Sequence, residues 1–158
     1  MFAPTLTLLV LALSTLTAPA AAQSVTIAAP APNATLPRGS SFVVDVDRPC
    51  ASSSIFFPAT LTGSQDVAVA IGLLGCPNGV CAGLNASVSI GRTLFSGPYA
   101  PTPVGHGRAD LAQNFTVQVP DNFSPGPALL SVAHFGLIIA SGSEPFLEVV
   151  SEEVVIGQ

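Results

Sequence analysis

Lysine is absent from this 158-residue chain, and four arginines stand against nine acidic residues for a net charge of −5. Nucleic acid and anionic membrane surfaces are gripped by basic patches, so neither is an expected partner. Tryptophan is absent too, and the one tyrosine is Tyr99. A sugar-binding face rests on exposed aromatic rings, which leaves a carbohydrate-binding module as the lesser reading. Charged residues make up 8% of the chain, far below the usual quarter. Solubility then has to come from Ser, Thr, Asn and attached sugar. No stretch carries ten residues of helical periodicity. No apolar run reaches the about 20 residues that span a bilayer, and the last residues, Glu152 to Gln158, form no hydrophobic tail, so no membrane anchor is expected.

The N-terminus carries a short apolar core from Leu6 to Leu16, then Thr17-Ala18-Pro19 and the small-residue site Ala20-Ala21-Ala22. This pattern predicts a secretory signal peptide over residues 1–22, cleaved after Ala22, although no basic residue precedes the core. Residues 23–158 then form one secreted, extracellular domain. Four N-glycosylation sequons begin at Asn33, Asn85, Asn114 and Asn122, the last weakened by Pro125 behind its serine.

The clearest structural signal lies between Gln113 and Ala140. Phe115, Val117 and Val119 alternate with polar residues, which is the period of a strand with one buried face. Pro120 to Pro127 supplies a reversal, and Ala128 to Ala140 is then apolar on both faces apart from Ser131 and His134. Further strands are predicted over Ser24–Ala28, Ser41–Asp47, Asp66–Leu74, Ser87–Leu94 and Phe146–Ile156. About seven short strands with turn signals between them predict an all-β protein, an immunoglobulin-like antiparallel β-sandwich. The Cys…Trp…Cys signature of antibody domains is missing.

Candidate chemistry is sparse. Cys76 and Cys81 flank a Pro-Asn-Gly turn, and a disulfide between them is favoured; pairing of Cys50 with either one is the alternative. No histidine or cysteine pair has metal-ligand spacing, and no cofactor is implied. His106 and Asp110 could be combined with a serine, but any serine-rich chain offers that, and no Gly-x-Ser-x-Gly elbow exists. His134 reads as a partly buried structural residue. Asp45 and Asp47 share the solvated face of one strand, where alternation explains them without acid–base work. An oxidative copper site on an N-terminal histidine is excluded, since cleavage makes Gln23 the first residue. The sequence therefore predicts no enzyme. The loop Ser96–Leu111 is long for a small domain, and its Tyr99 and Arg108 are the candidate partner contacts.

Several segments taken together resemble a known family. They are Gly39 to Pro49 (GSSFVVDVDRP), Thr62 to Leu73 (TGSQDVAVAIGL), Leu94 to Tyr99 (LFSGPY), Gln113 to Pro120 (QNFTVQVP), Gly126 to Leu130 (GPALL) and Pro145 to Glu148 (PFLE). In order and spacing they are similar to the fungal necrosis-inducing secreted protein family, especially its basidiomycete members. Cys50 to Ala59 departs from that pattern as an inserted stretch. The resemblance implies a small secreted effector-like protein that acts by binding another protein. It also implies suppression of plant immune signalling through receptor-associated kinases, and no catalytic residues to transfer. A monomer is expected.

Overall fold

In a computed structural model, residues 24–48, 63–104, 111–139 and 142–158 are described. Alternation builds the first sheet. Val44 and Val46 on β3 (Ser41–Arg48) point the same way as Phe115 and Val117 on β7 (Leu111–Gln118), and the two strands pair antiparallel over their full length. β1 (Thr26–Ala29) flanks β3, and β6 (Thr102–Pro103) flanks β7, giving the order β1-β3-β7-β6.

The second sheet is built on β8 (Gly126–Ile139). It lies between β4 (Gly63–Gly75) and β9 (Ser143–Ile156), with β5 (Arg92–Pro98) beyond β4 and the two-residue β2 (Thr35–Leu36) parallel to β9. Its order, β2-β9-β8-β4-β5, set against β1-β3-β7-β6, is the A′-G-F-C-C′ and A-B-E-D arrangement of an immunoglobulin-type sandwich. Between the sheets Val44, Val46, Ile71, Leu73, Leu130 and Val132 are sealed from solvent. Among the described residues no helix is long and apolar enough to cross a membrane.

Three expectations are corrected. β7 and β8 are not partners: the Pro-rich segment between them carries the chain from one sheet to the other. Prolines lack the N–H that a tight hairpin ladder would use. The strand expected over Ser87–Leu94 begins only at Arg92, because Ala86 to Val88 form a turn, and the Ser87 and Gly91 N–H groups donate to the Asn85 and Ser89 side chains. Gly91 ends that turn at φ 73°, so tight against the Leu73–Leu74 backbone that a Cβ would not fit. The loop expected from Ser96 starts after Pro98 and contains β6; with β6 and the two-residue β2 added, the described residues hold nine strands where about seven were expected.

Candidate functional site

The polar residues that alternation places inside the sandwich form one connected chain. β8 turns His134 inward, and register sets Glu148 of β9 beside it. On the other side, an irregularity between Asp66 and Ala68 of β4 switches which side chains face in, and Asp66 enters the core. His134 Nδ1 lies 2.9 Å from Glu148 Oε1, and Nε2 lies 3.1 Å from Asp66 Oδ1. Arg48 on β3 donates to Asp66 Oδ2 at 2.7 Å and also to Ser64 Oγ. Glu148 accepts from the Val25 N–H and the Ser24 hydroxyl, each at 2.8 Å.

The chain thus ties the segment leading into β1 to β9, β8, β4 and β3, crossing from one sheet to the other. Both ring nitrogens thus face carboxylate oxygens. The His134 ring is 0% exposed, and Tyr99 and Phe146 pack edge-on against it at 5.2 and 5.4 Å. Neither ring nitrogen is left to accept a proton from a substrate. Sequence reasoning placed His134 as partly buried but missed its two carboxylate partners. The alternation of Phe146, Glu148 and Val150 carried the signal for Glu148; nothing in the sequence marks the irregularity that turns Asp66 inward.

Tyr99 is not a surface contact. It is 2% exposed, its hydroxyl donates to the Val46 carbonyl at 3.0 Å, and its N–H donates to Val67 O at 3.2 Å. Ser96-Gly97-Pro98 reads as loop chemistry, yet it completes an edge strand whose end drops the ring between the sheets. Burial, with the nearby Asp66 charge adding to it, pushes the Tyr99 phenol well above its ordinary pKa, and Arg48 counteracts only part of this. Arg108, His106, Asp110 and Cys50 lie outside the described residues. Cys76 and Cys81 are joined in a disulfide that closes a 3-10 turn, Pro77–Gly79, at the end of β4. Asn33, Asn85, Asn114 and Asn122 are all exposed. Asp45 and Asp47 face outward but are half-buried, not freely solvated, and Asp45 Oδ1 has no hydrogen-bond partner among the described residues.

The two outer faces of the sandwich differ in chemistry. On the four-stranded sheet Asp45 pairs with Asn114, Val43 with Thr116 and Ser41 with Gln118, a mainly polar surface. On the five-stranded sheet one row runs Pro98, Ala68, Phe135, Leu147 across four strands, and the next runs Ser96, Ala70, Ala133, Val149. Neither row contains a charge. Leu147 is 68% and Phe135 37% exposed. Alternation alone puts Ala68 and Ala70 on one face of β4, but the neighbours that complete the rows come from register.

No curated protein matches this chain. The family model described as the Nis1 family matches residues 20–154, a span that takes in β1 to β8 and most of β9. With that span covering both sheets, the chain belongs to the Nis1 family of fungal effector-like proteins.

Proposed function

We propose that this is a secreted protein that works by protein–protein contact through the outer face of its five-stranded sheet, without catalysing a reaction. The observation that carries the reading is the uncharged row of Pro98, Ala68, Phe135 and Leu147. Binding surfaces are depleted of charge at their centre and anchored by large apolar side chains, and contiguous apolar patches on soluble proteins mark such surfaces. Family membership supports a host protein as the partner. The resemblance to secreted necrosis-inducing proteins makes plant receptor-associated kinases the first to test. The signal-peptide pattern expected over residues 1–22 supports secretion, and the sealed surroundings of His134 support a binding role over turnover.

The test is a pull-down of the mature protein against plant receptor-associated kinase domains and, separately, against cell-wall polysaccharide. Binding to a kinase domain is expected, and Phe135→Ala with Leu147→Asp is expected to weaken it by more than about 1 kcal/mol, roughly fivefold or more. Circular dichroism should show the double variant still folded. Capture by polysaccharide alone would turn the reading toward a wall-binding module. Kinase binding that the double variant leaves intact would move the interface to another surface.

A further inference from the structure

Beside Asn114, on the outer face of the four-stranded sheet, lies a groove of about 370 Å³. Its lining includes Asp45, Thr102, Val104, Ala112, Gln113 and Asn114 itself. Two independent features meet there. The first is a complete sequon, Asn114-Phe115-Thr116, whose Asn and Thr both point outward and are exposed while Phe115 is buried between them. The second is Asp45, directly opposite Asn114 in the strand register, whose Oδ1 is buried and has no hydrogen-bond partner among the described residues. A buried acceptor without a donor is costly, and native proteins leave few of them. The Gln113 side-chain oxygen accepts from the Ala100 N–H at 2.7 Å, and its Nε2–H donors make no bond to Asp45 Oδ1.

We propose that Asn114 carries an N-linked glycan whose first N-acetylglucosamine lies in this groove and donates a hydrogen bond to Asp45 Oδ1. This inference rests on the reading that the protein passes through a eukaryotic secretory pathway. The donor there is an oligosaccharide linked to a lipid pyrophosphate. The Asn114 amide nitrogen forms a bond to sugar C1, and the C1–O bond to the pyrophosphate breaks with its electron pair leaving on oxygen. The amide gives up one proton to the transferase. The sugar's acetamido N–H and hydroxyls then offer donors to the Asp45 oxygen, which none of the groove's own side chains meets with a hydrogen bond.

The other sequons are distinguished by their surroundings. The Asn85 side-chain oxygen accepts from the Ser87 N–H, and that of Asn122 accepts from Arg92. Asn33 sits in the turn before β2, its N–H donating to the Glu153 carbonyl. None of the three faces Asp45.

The full chain is secreted from a yeast host in two cultures, one with its own leader and one with a heterologous leader. Glycopeptide mass spectrometry of the heterologous-leader product is expected to find Asn114 occupied. An unmodified Asn114 in that product overturns the proposal. Recovery of the own-leader protein from the medium is a separate readout, and its failure would count against the secretion reading alone. Four proteins are then compared after trimming to single sugars: the natural sequence, Asp45→Asn, Asn114→Gln and the double variant. Asp45→Asn is expected to lower Tm by about 3 °C when Asn114 bears its sugar, and by clearly less in the Asn114→Gln background. Equal shifts in both backgrounds would overturn the seating of the sugar against Asp45.

Discussion

Single residues decide how this sandwich is locked. Tyr99 is the sole tyrosine and places its hydroxyl on a backbone carbonyl inside the core. Tyr99→Phe keeps the ring packing and leaves the Val46 carbonyl short of a partner, so it should cost about 1–2 kcal/mol in urea unfolding. An unchanged midpoint would mean that the hydrogen bond contributes nothing. Glu152 gives a pH signature. Loss of solvent raises its carboxyl above the ordinary 4.5, and its Oε1 is buried without a hydrogen-bond partner among the described residues. An acid whose folded pKa is raised holds its proton better folded than unfolded. Its contribution is therefore fully present below about pH 4 and is lost as pH rises through the folded value. Glu152→Gln should match the natural protein in acid and exceed it in stability at pH 7, as thermal melts at both pH values would report. Equal melting at pH 7 would refute the desolvation account.

At the level of the strand, what could be read in advance was what alternation alone determines. Phe42, Val44 and Val46, or Phe115, Val117 and Val119, advertise a buried face without reference to any neighbour. Which strand lies beside which is a different kind of information. The two strand signals between Asn114 and Ile139 are joined by a Pro-rich reversal, yet they lie in different sheets. The same limit hid the polar chain around His134, since its members come from the N-terminal segment and four separate strands. A single irregularity in β4 was enough to turn Asp66 inward. The Cys76–Cys81 turn was legible because all its determinants are local. Closing so short a loop constrains few unfolded conformations, so Cys76→Ser with Cys81→Ser should lower stability by about 2 kcal/mol, near the low end for native disulfides. A loss beyond about 4 kcal/mol would show that the bridge supports more of the fold than its own turn.

Across the whole molecule, the two sheets present opposite surfaces: one mainly polar and bearing a sequon, the other with two uncharged rows around Phe135 and Leu147. The strand β9 runs between two regions of this architecture. Its early part carries Leu147 on the bare face and, at the next position, the Glu148 carboxylate that holds Ser24 and Val25. Its last residue, Ile156, pairs with Gly126, at the far end of β8 from Phe135. Ser24 and Gln158 are thus unequal as attachment points. A tag, dye or surface linker fused ahead of Ser24 pulls on the segment that Glu148 clamps, whereas one fused after Gln158 leaves that clamp alone and departs from the end of β9 far from Leu147.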